Sequence, residues 1–112
     1  MTDGRLPAHL EISAIVRLAE SLGGFACVIE RGERDAGTLL VTTICRGEGA
    51  RLYERMPQLD GTRAFVLTKS QSAENPAEFY EYLSRRKGQD PDIWVIEVDI
   101  ADGERFVASL PH

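Results

Sequence analysis

The chain has 112 residues, of which 43% are hydrophobic and 28% charged, and its formal net charge is −5. This length predicts one domain spanning residues 1–112, and the composition excludes a disordered or fibrous protein. The acidic charge argues against a nucleic-acid partner, which needs clustered Lys and Arg, and no apolar run approaches the ~20 residues of a membrane span.

The N-terminal segment Met1–Arg5 lacks the basic start and apolar core of a signal peptide, so we expect a cytoplasmic protein. The two cysteines, Cys27 and Cys45, lie in separate apolar runs. A bridge between adjacent strands is geometrically possible, but a free Cys behaves as a small hydrophobe in such a run. We expect two buried, reduced thiols.

Apolar residues at helical spacing predict a first helix from Pro7 to Leu22, which Gly23-Gly24 ends. Four strands are then predicted, at Phe25–Glu30, Thr38–Cys45, Ala50–Met56 and Arg63–Lys69. Because the loops between them are short, we expect an antiparallel meander in which Ala50–Met56 is half exposed.

A second helix is predicted to begin at Asn75-Pro76-Ala77-Glu78. Asn75 can cap it, and Glu78 is spaced to close a capping box. Three cations, Arg85 to Lys87, complement the negative end of the helix dipole, and Gly88 is the predicted C-terminal cap.

The stretch Gln89–Ile100 organises the predicted fold. It holds the only tryptophan, Trp94, and its apolar residues alternate with period two. One face of this stretch is apolar throughout, with Trp94, Ile96, Val98 and Ile100. The other face begins with apolar residues and ends with acidic ones. This pattern predicts a strand inside a sheet. The turn Asp102-Gly103 then predicts a hairpin to a sixth strand, Glu104–Ala108.

The predicted order α-β-β-β-β-α-β-β indicates an α+β fold. We expect a mostly antiparallel sheet of five to six strands, with two helices packed against one face.

Several stretches match a family pattern in the right order: Ile12–Arg17, Gly24–Ala26, Arg31-Gly32 with Ala36–Val41, Asp90–Glu97 and Asp102-Gly103. Together they resemble a small bacterial family called domain of unknown function 1491. Leu18 departs from the second basic residue that members often carry after the position of Arg17. The resemblance implies a bacterial, cytoplasmic single-domain protein, and it carries no activity, cofactor or catalytic residue.

The charged loop Arg31–Gly37 is the first candidate site. In a functional interpretation Arg31 and Arg34, with Asp35 beside them, hold an anionic group, and backbone N–H groups add donors. In a structural interpretation the glycines supply positive φ and the charges are solvated. We favour the second, because the loop lacks the Gly-Lys-Ser/Thr ending of a phosphate loop.

Asp90, Asp92 and Trp94 form the second candidate site. Carboxylates two apart on a strand can share a face, as acid–base pairs and cation ligands require. We favour a structural role again, because Asp at a strand entry commonly accepts backbone hydrogen bonds and Trp is usually core. We expect the two carboxylates to contact Arg85 and Arg86 in a helix–strand clamp.

No catalytic residue, metal site or cofactor is predicted. No serine lies in a nucleophile motif, and His9 is the one histidine plausibly placed as a base. Arg17 lies in the polar stripe of the first helix, where it pairs with Glu20 or Asp92 or marks a partner surface.

Two functional hypotheses follow. The first is a non-catalytic module that binds a protein partner or a second copy of itself through strands such as Ala50–Met56, with no nucleic acid and no membrane involved. The alternative is an anionic-ligand-binding or metabolic enzyme domain that uses the Arg31–Gly37 loop with Asp90 and Asp92.

Overall fold

The computed structural model describes residues 6–111. The segment Met1–Arg5, interpreted above as lacking a signal peptide, and the terminal His112 lie outside the described residues. The elements are α1 (Ala8–Ser21), β1 (Phe25–Glu30), β2 (Leu39–Cys45), β3 (Glu48–Pro57), β4 (Arg63–Ser70), α2 (Ala77–Gln89), β5 (Trp94–Asp99) and α3 (Gly103–Ala108). The predicted α+β class is confirmed, and the elements follow the predicted order through β5.

The strands form one five-stranded sheet in the order β1-β5-β2-β3-β4. The β1–β5, β2–β3 and β3–β4 pairs are antiparallel, whereas β2 and β5 are parallel, so the sheet is mixed. The predicted meander is therefore correct for β2–β3–β4 and wrong for β1. The strand β5 lies between β1 and β2 because its first residues are apolar on both faces and gain most from a central position.

Helices cover both faces of this sheet, not one face as predicted. The α1/α3 face buries apolar residues of both helices against β2, β3 and β5, among them Ile12, Leu39, Trp94, Ile96 and Phe106. The α2 face buries Leu40, Leu52, Phe79, Leu83, Ile93 and Val95. The alternation predicted for β5 is confirmed by this division.

The chain after β5 forms α3, so the predicted hairpin and sixth strand at Glu104–Ala108 are wrong. The Asp102 carboxylate accepts a hydrogen bond from the backbone N–H of Arg105 at 3.1 Å, which is an N-cap contact. Phe106 and Val107 are buried in the core. Both sides of β5 are already paired, to β1 and β2, so no hairpin partner fits beside it.

The ends of α2 also differ from the prediction. No side chain caps its N-terminus, and Glu78 binds Lys69 of β4 at 2.7 Å instead of closing a capping box with Asn75. Gly88 lies inside the helix, which continues to Gln89.

Two adjacent charged residues of β3, Glu54 and Arg55, are buried. An Arg55 guanidinium nitrogen lies 2.7 Å from a carboxylate oxygen of Glu11 in α1. Arg86 of α2 donates to the Glu54 carboxylate at 2.6 Å. Five of the seven residues Ala50–Met56 are buried, so the expectation of a half-exposed strand is wrong.

The Glu54 carboxylate accepts two further hydrogen bonds, from the hydroxyls of Thr68 at 2.6 Å and Tyr82 at 3.3 Å. Burial alone would raise the pKa of Glu54, but the hydrogen bonds from Thr68 and Arg86 outweigh it and hold this pKa below its ordinary value. Glu54 therefore stays ionised at neutral pH.

We expect Glu11→Leu to lower the free energy of unfolding by about 3 kcal/mol, because it leaves the buried Arg55 charge without its partner. Urea denaturation measures this loss. The double variant Glu11→Leu with Arg55→Met should recover most of it. The control Glu20→Leu, at an exposed position of the same helix, should change stability by about 0.5 kcal/mol or less. Equal losses at Glu11 and Glu20 would contradict the role given to this ion pair.

Candidate functional site

The structure brings the two predicted candidate sites together. The backbone N–H of Glu33 donates to the Asp92 carbonyl at 2.8 Å, and the indole N–H of Trp94 donates to the Glu33 carbonyl at 2.7 Å. The Arg31 guanidinium carbon lies 5.7 Å from the centroid of the Trp94 ring, within cation–π range. The loop Arg31–Gly37 therefore packs directly on the start of β5.

The two loop glycines allow this close packing. A Cβ atom at Gly32 or at Gly37 would collide with the carbonyl oxygen of Asp92. Neither glycine has the positive φ that the structural interpretation expected. Their role is close backbone approach, which packs the loop against the carbonyl of Asp92.

Asp90 and Asp92 do not act as a carboxylate pair. The Asp90 carboxylate accepts the backbone N–H of Asp92 at 3.1 Å, as the structural interpretation of a strand entry expected. The expected clamp with Arg85 and Arg86 is wrong, because Arg86 binds Glu54.

Lys87 clamps the helix to the strand in their place. Its ammonium donates to three backbone carbonyls, of Arg31 at 2.5 Å, Pro91 at 2.6 Å and Ile93 at 3.1 Å. One cation thereby joins the end of α2, the entry to β5 and the charged loop. The sequence carried no signal for this contact, since carbonyl acceptors belong to the backbone.

The remaining loop residues, Arg34 and Asp35, are exposed. Their backbone carbonyls accept the N–H groups of His9 at 2.9 Å and Ala8 at 3.0 Å, which lack partners within α1. Arg17 is exposed and forms no ion pair with Glu20 or Asp92 within the described chain.

Asp35 also lines a cavity of about 280 Å³, together with Glu11 and Arg63. Arg31, Asp90 and Asp92 do not line it. Within residues 6–111, no group of three or more His, Cys, Asp and Glu side chains is placed to hold a metal ion. The predicted site residues thus have packing roles or lie apart.

The strand β1 exposes three large apolar side chains, more than any other strand of the sheet, although the sequence pattern did not single it out. Phe25 is 77% exposed, Ile29 48% and Val28 37%, and Cys27 is exposed as well. These side chains are uncovered because β1 is an edge strand that pairs with β5 alone.

The α2 face of β1 is bare. Phe25 and Cys27 lie opposite Asp99 and Glu97 of β5, on that face, whereas α2 packs over β2, β3 and the start of β5. Tyr80 of α2 is 43% exposed and interacts electrostatically with Glu97. We define the edge patch as Phe25, Cys27, Val28 and Ile29 of β1, of which Val28 lies on the α1/α3 face, together with Tyr80.

The edge strand has few of the features that protect edges from pairing. No charged residue or proline occurs between Phe25 and Ile29. A register shift between Val28 and Glu30 is its one irregularity, and it leaves Phe25–Val28 regular. Protective bulges, lysines and prolines normally block the free N–H and C=O groups of an edge.

The acidic neighbours of the patch raise the pKa values of its titratable groups. Burial and the neighbouring Asp99 raise the pKa of Glu97. Burial and the Glu97 charge raise the pKa values of both Cys27 and Tyr80. A thiol with a raised pKa is a weak nucleophile. Both cysteines are free, as predicted, but they are exposed and not buried.

No described helix is long and apolar enough to cross a membrane.

Comparison with known proteins gives a family and a fold. A family model described as "Protein of unknown function (DUF1491)" matches residues 6–108. The chain is 31% identical to a DUF1491 family protein from Caulobacter crescentus CB15, and the match to its crystal structure has a TM-score of 0.81 and covers 96% of this chain and 98% of that one. No curated protein matches the chain.

Two structures solved in solution are also similar. Protein Atu0922 from A. tumefaciens is 25% identical, with a TM-score of 0.77 and coverage of 96% of this chain and 97% of that one. An NMR structure of a DUF1491 family protein from Caulobacter crescentus CB15 is 32% identical, with a TM-score of 0.76 and coverage of 95% and 94%.

We expect Lys87→Met to lower the free energy of unfolding by about 2 kcal/mol, because three carbonyls lose a charged donor. Thermal or urea denaturation measures the loss. Arg85→Met, an exposed cation in the same turn, is the control and should change stability by about 0.5 kcal/mol or less. A Lys87 variant as stable as the Arg85 variant would show that the clamp carries no stability.

Glu97 and Glu54 should show opposite pH dependences. The raised pKa of Glu97 means that the fold favours its protonated form, so Glu97→Gln should be more stable than wild type at pH 7. This gain should shrink as the pH falls through the raised pKa towards the ordinary value of 4.5.

Glu54→Gln should be less stable than wild type at pH 7, because the lowered pKa of Glu54 stabilises the fold above the ordinary value of 4.5. This deficit should shrink as the pH falls below 4.5. Urea denaturation from pH 7 to pH 3 tests both variants, and matching pH profiles would contradict the assignment.

Proposed function

The chain belongs to the DUF1491 family, a family of unknown function, and from that premise we propose that it is a non-catalytic protein-interaction module whose β1 edge binds an extended polypeptide strand. The observation that carries the proposal is the edge strand β1, whose exposed run Phe25–Ile29 carries no charge before Glu30 ends the strand.

Strand addition fits the chemistry of this edge. The outer N–H and C=O groups of an edge strand pair with an incoming backbone, while pockets or patches receive alternate side chains. On β1, Phe25 and Cys27 offer contacts on one face and Ala26 and Val28 on the other. The partner that fits is an extended strand that is apolar and without charge at its centre.

The opposite edge of the sheet is less suited to this role. The strand β4 exposes Val66 and Leu67, but Arg63 and Lys69 lie near its two ends. Charged side chains on an edge strand disfavour pairing with another chain. The strand β1 has one charged residue, Glu30 at its end, and exposes more apolar side chains than β4, and this contrast supports β1 as the binding edge.

The polar groups of the protein also support a non-catalytic role. The carboxylate of Glu54, which resembles a buried catalytic acid, is occupied by Thr68, Tyr82 and Arg86. The Cys27 thiol has a raised pKa, which weakens it as a nucleophile.

A panel of fluorescent heptapeptides with alternating apolar residues, one of them copying residues 24–30, tests the proposal. We expect at least one peptide to bind, because main-chain pairing tolerates many sequences. Val28→Lys should weaken this binding tenfold or more by placing a charge on the edge. Fluorescence anisotropy measures the affinity.

The matched control is Val66→Lys, since Val28 and Val66 are both 37% exposed on edge strands. Its binding should stay within about twofold of wild type, as expected for a surface substitution that changes stability by ~0.5 kcal/mol or less. The proposal is wrong if no peptide binds at millimolar concentration, or if both lysine variants weaken binding equally. Circular dichroism confirms that each variant is folded.

A further inference from the structure

We infer that the strand bound by β1 is β1 of a second copy of this chain, in an antiparallel pairing centred on Cys27. This inference rests on the proposed function and identifies its partner. The two sheets would then form one continuous sheet across a two-fold axis.

Symmetry limits the possible registers. In an antiparallel pair around a two-fold axis perpendicular to the sheet, opposing residues lie on the same face, so the axis passes beside a residue and not between two. Cys27 is the middle residue of the uncharged run Phe25–Ile29. A pairing centred there places Ala26 opposite Val28 of the second copy, within the regular part of β1, and Phe25 across from Ile29, where the register shift begins.

These opposing pairs are favourable. An aromatic side chain beside a β-branched one stabilises neighbouring strands, as Phe25 and Ile29 would. Phe25 is 77% exposed and Ile29 48%, so both gain from being covered. The small Ala26 leaves room for Val28.

Charge selects the antiparallel direction. The first charged residue after the apolar run is Glu30, and the run is preceded by Gly23 and Gly24. In the antiparallel register each Glu30, which lies beyond the register shift, comes near Gly24 of the other copy and far from the second Glu30. A parallel pairing would place the two Glu30 side chains next to each other, which is destabilising.

A second copy also closes the assembly. Pairing β1 with β1 uses the same edge on both chains, so no further β1 edge remains free. The outer edges of the joined sheet are then the two β4 strands, each with Arg63 and Lys69 near its ends. A dimer is therefore the expected end state.

Disulfide trapping tests the register directly. Opposing residues of an antiparallel pair have Cα atoms roughly 4.5–5.5 Å apart, a separation that a disulfide spans. Oxidation of the full chain by diamide takes one proton and one electron from each thiol, reduces diamide to the hydrazine and joins the two sulfurs. Cys45→Ser, which keeps Cys27, should give a covalent dimer, whereas Cys27→Ser should not.

A second pair of variants checks the register without Cys27. In a chain carrying Cys27→Ser and Cys45→Ser, Ala26→Cys alone and Val28→Cys alone should trap little dimer. A mixture of the two should trap several-fold more, because these positions oppose each other across the axis. Gel electrophoresis without reductant measures the yield.

Sedimentation equilibrium gives the third readout. Wild type should dimerise, Val28→Lys should raise the dimer dissociation constant tenfold or more, and Val66→Lys should leave it within about twofold. A monomer at several hundred micromolar, or trapping through Cys45 alone, would overturn the inference. If the peptide panel still bound β1 in that case, the proposed function would stand and the partner would be another protein. If neither dimerisation nor peptide binding were detected, the inference and the proposed function would both be refuted.

Discussion

The oppositely directed side chains of Glu54 and Arg55 fix how both helices sit on the sheet. Arg55 reaches Glu11 of α1 on one face, and Glu54 reaches Arg86 of α2 on the other. Because the two pairs have opposite polarity, exchanging the helices would bring like charges together in a buried setting. Removing one partner of a buried ion pair destabilises a fold by more than the intact pair stabilises it. These contacts therefore contribute mainly to the choice of one helix arrangement and less to the free energy of unfolding.

Local patterns in the sequence predicted most helices and strands, but they did not predict which elements are neighbours in the fold. Period-two alternation predicted β5, and helical spacing predicted α1. The order β1-β5-β2 could not be predicted. A strand that is apolar on both faces fits any interior position of a sheet, so its sequence does not reveal which strands lie beside it. The prediction of a strand at Glu104–Ala108 was wrong for a related reason. The turn residues fit a hairpin, but Asp102 caps a helix because β5 has no free side.

The same limit governed the site. The sequence allowed a shared site for the Arg31–Gly37 loop with Asp90 and Asp92, but only the structure shows that the loop glycines pack against the Asp92 carbonyl. The Lys87 clamp uses carbonyl acceptors, which no residue pattern reveals. The exposure of Phe25 depends on β1 being at the edge, and strand order alone decides that. The exposure of the β1 side chains follows from the position of β1 in the sheet, and the sequence of β1 does not predict it.

The position of β5 has a consequence for how the chain folds during synthesis. Its residues, 94–99, separate β1 from β2 in the sheet although those strands are neighbours in the sequence. The β2–β3 and β3–β4 hairpins join strands that are close in the sequence, so they can form before β5 is made. The strand β1 has no partner until nearly the whole chain has been translated. Until β5 is made, β1 and one side of β2 lack their sheet partner, so the late segment β5 completes the sheet and covers the edges at which chains could misassemble.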